Sequence, residues 1–105
     1  FCKIVNKEID SKIIYENDNI LIFEDINPKA PVHLLAIPKE HIGSIMEIGE
    51  LDSETVNGLF KAIADTAGRY KLEKGGFRVV TNTGMGAGQS VGHLHFHIMS
   101  KRKFE

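Results

Sequence analysis

Hydrophobic residues recur along this chain at two different periods, and each period predicts a different element. Between residues 53 and 72 they recur at steps of three and four, which places them on one face of a helix. Asp52 stands directly before this stretch as an N-cap. The pattern therefore predicts one long helix with an apolar stripe in the core. The stripe consists of Val56, Leu59, Phe60, Ile63, Ala64, Ala67 and Tyr70.

Short runs of β-branched and aromatic residues on both sides of the helix predict strands. Residues 12–16 and 20–25 are joined by Asn17-Asp18-Asn19, which is typical of a hairpin turn. Residues 32–38 are almost continuously apolar, which favours a central strand covered on both faces, and residues 77–82 predict a further strand. Strands, one helix and then strands again indicate an α+β domain with an antiparallel sheet.

A strict alternation of histidine and apolar residues predicts the last strand, His93-Leu94-His95-Phe96-His97-Ile98-Met99. Alternate residues of a strand point to opposite faces, so the three histidines are expected on one face and the apolar residues in the core. Neighbouring imidazoles would then lie about 6.5–7 Å apart. Because imidazole titrates near neutral pH, a row of them on rigid backbone is the first candidate for chemistry.

Composition and charge narrow the classes of protein that remain. The chain has 105 residues, 42% of them hydrophobic and 26% charged, which is typical of a single globular domain over residues 1–105. A net charge of −1 gives no broad electrostatic footprint for nucleic acid or an anionic membrane. The single cysteine, Cys2, excludes an intrachain disulfide and suits a reducing compartment. We therefore expect a cytoplasmic protein without nucleic-acid or membrane partners.

A glycine-rich stretch, residues 83–92, precedes the histidine strand. It lacks the Gly-Lys-Ser/Thr ending of a Walker A loop, and no helix follows it as in a dinucleotide fingerprint. Backbone N–H groups of such a loop, together with Gln89 and Ser90, suit a phosphate or another oxyanion. Alone, the glycines would more simply permit a long hairpin turn. Their position beside the histidines favours the phosphate interpretation.

Three interpretations of the histidines compete. They could be incidental on a surface strand, which their strict alternation makes the weakest interpretation. They could bind a metal, since His-x-His on a strand can present two imidazoles to one zinc ion. They could also act at phosphorus, with one imidazole attacking while its neighbours orient it and protonate the leaving group. The phosphate-binding character of the preceding loop favours this third interpretation.

The alternating histidine segment fits the signature of the histidine-triad (HIT) superfamily, and Gly88-Gln89-Ser90-Val91 resembles the block that leads into it. Residues 23–33 and 35–41 resemble its other blocks, and Phe1-Cys2-Lys3-Ile4 resembles its start. The chain is most similar to the HINT branch of nucleoside phosphoramidases and related nucleotide hydrolases. This resemblance implies a HIT-like fold, with an antiparallel sheet of about five strands, one long helix and a short N-terminal helix. It also implies a homodimer in which the sheet continues across both chains, although the helical stripe could instead be wholly internal.

The resemblance implies a hydrolase that cleaves the P–N bond, or a related acyl or phosphoanhydride bond, at the α-phosphate of purine nucleoside 5′-phosphoramidates. His95 would be the nucleophile that forms a nucleotidyl-histidine intermediate, and the backbone carbonyl of His93 would hold its tautomer. His97 and His33 would flank the phosphate and the leaving group. Ser90 would contact either the α-phosphate oxygens or the leaving group. No cofactor would be required for catalysis.

The resemblance also implies a binding site for a purine nucleotide such as AMP or GMP. Asp25 would accept both ribose hydroxyls, although an aspartate that starts a turn before a proline is the alternative. The base would be walled by Phe23, Ile26 and Ile4. The phosphate would be contacted by Asn82, Gly88, Gln89, Ser90, His95 and His97.

Cys2, His41 and His93 match three of the four positions that hold a structural zinc ion in many bacterial members of the family. A buried cysteine with a surface histidine is the alternative. Two other functions also stay open. One is hydrolysis of dinucleoside polyphosphates, and the other is a nucleotide-binding or zinc-stabilised interaction module with vestigial turnover.

Overall fold

One antiparallel sheet with a long helix on one face forms the framework of the protein. The computed structural model describes residues 12–25, 31–87, 89 and 92–101. The strands pair in the order β1-β2-β3-β5-β4, and every pair is antiparallel. The elements are β1 (Ile13–Glu16), β2 (Ile20–Glu24), β3 (Val32–Pro38), α1 (Ser53–Arg69), β4 (Arg78–Val80) and β5 (Phe96–Ser100), with 3₁₀ turns at Ile45–Glu50, Leu72–Lys74 and Met85–Ala87.

The predicted α+β architecture is confirmed, with five strands and one long helix among the described residues. The predicted short N-terminal helix lies outside them. In the hairpin between β1 and β2, the Asn17 side-chain oxygen accepts hydrogen bonds of 2.8 Å from the backbone N–H groups of Asn19 and Ile20. This side chain therefore closes the predicted turn.

The central strand β3 separates two apolar clusters because its residues alternate between the two faces of the sheet. Leu34 and Ala36 point to the helix side, where they join the larger core. Leu35 and Ile37 point to the other side and pack with Leu21. All residues of β3 are buried, as its continuous apolar sequence predicts. The sheet therefore has one face covered by the helix and a second face with its own, smaller apolar cluster.

The helix begins as predicted, because the Asp52 carboxylate accepts a 2.7 Å hydrogen bond from the Thr55 N–H. The predicted extension to residue 72 is wrong. Helix α1 ends at Arg69, and Lys71 follows with φ 57°, which is left-handed backbone that does not continue a helix.

The face that the helix buries differs from the predicted stripe. Phe60 and Ala64 are exposed, whereas Thr55, Ala62 and Thr66 are buried. The apolar stripe is wider than the surface that the sheet covers, so its Phe60 side remains in solvent. No helix within the described residues has both the length and the apolar character to cross a membrane.

The last two strands are shorter than predicted. Strand β4 covers Arg78–Val80 rather than residues 77–82, and β5 begins at Phe96 rather than at residue 93. Before β5, the Leu94 N–H donates a 2.7 Å hydrogen bond to Ile42 in the loop after β3. This contact holds the chain outside the ladder. Leu94, Phe96 and Ile98 are nevertheless all in the core, as their alternation predicts.

Candidate active site

The register of β3 and β5 brings His33 and His97 together on the face opposite the helix. His33 pairs with Met99 and Leu35 pairs with His97, so the two histidines are diagonal neighbours across adjacent strands. Nε2 of His33 lies 2.8 Å from Nδ1 of His97, within hydrogen-bond distance. His33 is buried and His97 is partly exposed. His33, the polar residue in the apolar run of β3, is thus paired with His97 of the histidine segment.

His95 is held by its own backbone. Its Nδ1–H donates a 2.7 Å hydrogen bond to the carbonyl oxygen of His93. Since a carbonyl can only accept, Nδ1 must carry a proton, and in the neutral ring the lone pair is then on Nε2. The ring also lies edge-on to His97, with 5.0 Å between centroids. This is shorter than the spacing expected from the strand period.

Thr81 provides a support for His95 that the sequence did not reveal. Its Oγ1 donates a 2.8 Å hydrogen bond to the backbone carbonyl of His95. Thr81 directly follows β4, which pairs with β5, so the contact depends on sheet pairing. A threonine after a short strand carries no local signal of this role.

His93 departs from the predicted row of imidazoles. Its buried ring donates from Nε2 to the carbonyl of Pro38 at 3.0 Å and lies edge-on to His41, with 4.9 Å between centroids. Burial lowers the pKa of His93, the Pro38 hydrogen bond opposes this, and the nearby His41 lowers it further. The prediction of a continuous row of three imidazoles is therefore wrong. His93 precedes β5, and its ring contacts Pro38 and His41 instead.

The His41–His93 contact brings together two of the three predicted zinc ligands. Two imidazole nitrogens are a donor set that zinc accepts. The third, Cys2, lies outside the described residues. The His41–His93 pair therefore fits a structural zinc site.

Asp25 reaches the His33–His97 pair from the end of β2. Its backbone N–H donates to the His33 carbonyl at 3.0 Å, which continues the pairing of β2 with β3. Its Oδ2 lies 3.4 Å from His33 Nε2. The carboxylate and the two imidazoles offer donor atoms that all lie within 4.8 Å of one another.

Gln89 has a role in this structure that differs from the predicted phosphate contact. Its side-chain N–H donates to the Gly43 carbonyl at 2.7 Å, and its side-chain oxygen accepts from the Gly84 N–H at 2.8 Å. Its backbone N–H donates to Gly84 at 3.0 Å. The nitrogen end of the amide thus ties the glycine-rich loop to the loop after β3, and the oxygen end closes the glycine-rich loop on itself.

The other predicted nucleotide-binding residues are placed only in part. Phe23 is buried in the apolar cluster on the His33 side of the sheet. Asn82 is half-buried just after β4. The remaining predicted residues that lie outside the described part of the chain are Ile4, Ile26, Gly88 and Ser90.

Comparison with known proteins identifies the family of this chain. A family model described as scavenger mRNA decapping enzyme C-terminal binding matches residues 1–104. An uncharacterized HIT-like protein of Rickettsia prowazekii is 42% identical over 104 residues, which is 98% of this chain and 87% of that protein.

Solved structures give the same result. A HIT family hydrolase from Clostridium thermocellum has a TM-score of 0.90 at 41% identity, over 100% of this chain and 91% of that one. A histidine triad nucleotide-binding protein from Candida albicans has a TM-score of 0.83 at 31% identity, over 93% of this chain and 71% of that one. The fold is therefore HIT-like, and the chain belongs to the histidine-triad, or HIT, superfamily.

Proposed function

We propose that this protein hydrolyses purine nucleoside 5′-phosphoramidates at the α-phosphate through a nucleotidyl-histidine intermediate on His95. The observation that carries the proposal is the 2.7 Å hydrogen bond from His95 Nδ1–H to the His93 carbonyl. It leaves the Nε2 lone pair for attack and stabilises the positive charge that develops on the ring. The similarity to a HIT family hydrolase and to a histidine triad nucleotide-binding protein supports the general chemistry.

The proposed reaction has two displacements at phosphorus. In the first, Nε2 of His95 forms a bond to the α-phosphorus while the bond to the leaving nitrogen breaks, and the departing amine takes up a proton from the His33–His97 pair. In the second, water attacks the phosphorus and returns a proton to this pair while the bond to His95 breaks, which releases the nucleoside monophosphate. The unmodified imidazole is thereby restored.

His97 and His33 are proposed to serve the charged oxygens and the leaving group. Their 2.8 Å contact accommodates one proton between the two nitrogens, so each ring constrains the tautomer of the other. His97 is in edge contact with His95 and is partly exposed, which suits a group that meets the substrate. His33 is buried behind it and suits a positioning role.

Asp25 is the proposed acceptor for the ribose hydroxyls, and Phe23 a proposed wall for the base. The Asp25 side chain is 17% exposed, and its carboxylate lies beside the His33–His97 pair. A ribose held there would place its 5′-phosphate near the histidines, as the reaction requires. The proposed contacts from Ser90, Gly88, Ile26 and Ile4 belong to residues outside the described ranges.

The test is the turnover of wild-type protein and of His95→Asn on an adenosine 5′-phosphoramidate with an amine leaving group. We expect His95→Asn to reduce kcat by about 10⁴-fold or more, because the nucleophile is lost. AMP binding, measured by calorimetry, should be kept. Met46→Ala is a matched control, because this side chain is 79% exposed in a different element, the 3₁₀ turn Ile45–Glu50.

Two outcomes would overturn the proposal: no turnover by the wild-type protein, or turnover by His95→Asn at the wild-type rate. The same assay should include a diadenosine polyphosphate. A higher kcat/KM on that compound would favour the dinucleoside polyphosphate hydrolase instead.

We also propose a homodimer that covers the exposed side of the helix. Phe60 on α1 is 46% exposed and lies against the ring of Phe96, with 5.5 Å between centroids. Val79, on the edge strand β4, is 41% exposed. A short edge strand beside exposed apolar side chains gains from being covered by a second chain.

A structural zinc ion held by His41, His93 and Cys2 is a further proposal. The edge-on contact of the two imidazoles supports it. When bound, the ion would stabilise the loop after β3 against the segment that leads into β5. The proposed reaction does not pass through it.

A further inference from the structure

We propose that Asp25, His33 and His97 form a second metal site, which binds a divalent transition metal such as Zn²⁺ on the catalytic face. One carboxylate oxygen and two imidazole nitrogens, all within 4.8 Å of one another, are ligand types that zinc prefers. Three protein ligands with one remaining position for water are also the usual number for an open zinc site.

The distances within this group are close to those of a tetrahedral site. His33 Nε2 lies 2.8 Å from His97 Nδ1 and 3.4 Å from the nearer carboxylate oxygen of Asp25. With zinc bonds of about 2.0–2.1 Å, tetrahedral ligand atoms lie about 3.3 Å apart. The two imidazoles therefore have to separate slightly, whereas the distance from His33 to the carboxylate already fits. His97 and Asp25, which are partly exposed, are the two ligands with room to move.

A bound ion and the His33–His97 hydrogen bond exclude each other. The hydrogen bond requires a proton between the two nitrogens, whereas the ion takes a lone pair from each of them. Metal binding thus displaces this proton from the contact, and the neutral ring that donated it carries a proton on its other nitrogen instead, so that no net proton is released. The Asp25 carboxylate offsets part of the cationic charge. His95 is not part of the group of donor atoms that lie within 4.8 Å of one another.

This site is separate from the proposed structural zinc at Cys2, His41 and His93, since the two sets share no residue. The effect of metal binding at Asp25, His33 and His97 on turnover rests on the proposed function. An ion at Asp25, His33 and His97 would occupy the groups assigned to ribose and phosphate. Zinc would then inhibit the enzyme, and a chelator would restore activity.

The experiment is a zinc titration without nucleotide, in competition with a chromophoric chelator. The background protein is Cys2→Ser/His41→Ala, which removes the other candidate site. We expect it to bind one equivalent of Zn²⁺, and His97→Ala and Asp25→Asn in this background to bind about tenfold more weakly or worse. His95→Ala is the matched control. It removes a neighbouring imidazole and should keep the background affinity within about twofold.

Circular dichroism of each variant shows whether it is folded. The proposal is overturned if the folded background protein binds no stoichiometric zinc, or if His97→Ala and Asp25→Asn bind as the background does. It is also overturned if His95→Ala loses as much affinity as His97→Ala. Because no nucleotide is present, these results are independent of whether the phosphoramidase activity exists.

Discussion

At the scale of single residues, the proposed chemistry depends on backbone carbonyls as much as on side chains. The carbonyl of His93 determines which nitrogen of His95 carries the proton. The carbonyl of His95 in turn accepts a hydrogen bond from Thr81. The proposed nucleophile, His95, is thus oriented on both sides by contacts that involve the main chain.

Thr81→Val should therefore impair turnover although Thr81 touches no substrate in the proposed reaction. Loss of one hydrogen bond of about 1 kcal/mol corresponds to about a fivefold decrease in kcat. KM should change little, and Thr81→Ser, which keeps the hydroxyl, should restore kcat. Steady-state kinetics of the two variants provide the measurement. Equal losses in both would contradict the positioning role.

Some of these residues could be predicted from the sequence and others could not, for a physical reason. His95 and His97 were found because alternation is a local pattern and because the family motif includes them. Thr81 was missed because its partner is 14 positions away along the chain and is reached only through pairing of β4 with β5. The hydrogen bond from the Gln89 side chain to the Gly43 carbonyl joins residues 46 positions apart and was missed for the same reason.

At the scale of elements, the start of helix α1 was more predictable than its C-terminal end. Asp52 was identified as the N-cap because its side chain satisfies an N–H within the same turn. The end of α1 depends instead on the left-handed backbone of Lys71. Lysine gives no signal for this conformation, which usually falls to glycine.

The cap predicts a defined response to acid. The Thr55 N–H holds the pKa of Asp52 below its usual value. A lowered pKa in the folded state stabilises the fold above the unfolded pKa, and this contribution is lost as pH falls through the folded pKa. The stability advantage of wild type over Asp52→Asn should therefore be largest near neutral pH and should disappear in acid.

Chemical denaturation from about pH 7 to about pH 3 measures this difference. Glu54→Gln, at the second position of the helix, reports the general effect of removing a negative charge there. A stability difference between wild type and Asp52→Asn that stays constant over the whole range would show that the charge of Asp52 does not contribute.

At the scale of the whole molecule, the exposed side of α1 and the edge strand β4 lie on the same side of the sheet. Val79 pairs with Ile98, whose side chain is in the helix-side core, and Phe60 packs on Phe96 of the same strand. The apolar stripe predicted from the sequence is wider than the face of α1 that the sheet buries. A second chain packed against the exposed part of the stripe would account for the difference. A single sequence cannot distinguish this from internal packing, because both require the same apolar residues.

Phe60→Glu and Val79→Glu should accordingly convert the proposed dimer to a monomer. Each places a charge on a surface that would have to be desolvated on association. Light scattering coupled to size-exclusion chromatography measures the mass. Met46→Glu, in a highly exposed position elsewhere, should remain dimeric. A monomeric wild-type protein, or identical masses for all variants, would contradict the proposal.

The alternation of β3 also has a consequence for how this chain can change over generations. Val32 and Leu34 belong to the helix-side core, whereas His33 lies between them with its ring on the opposite face, at the candidate active site. A substitution at Val32 or Leu34 therefore acts on the stability of the fold, whereas a substitution at His33 acts on the proposed chemistry. The two properties can drift separately along a single strand, so a new leaving group or ligand can be accommodated without rebuilding the scaffold.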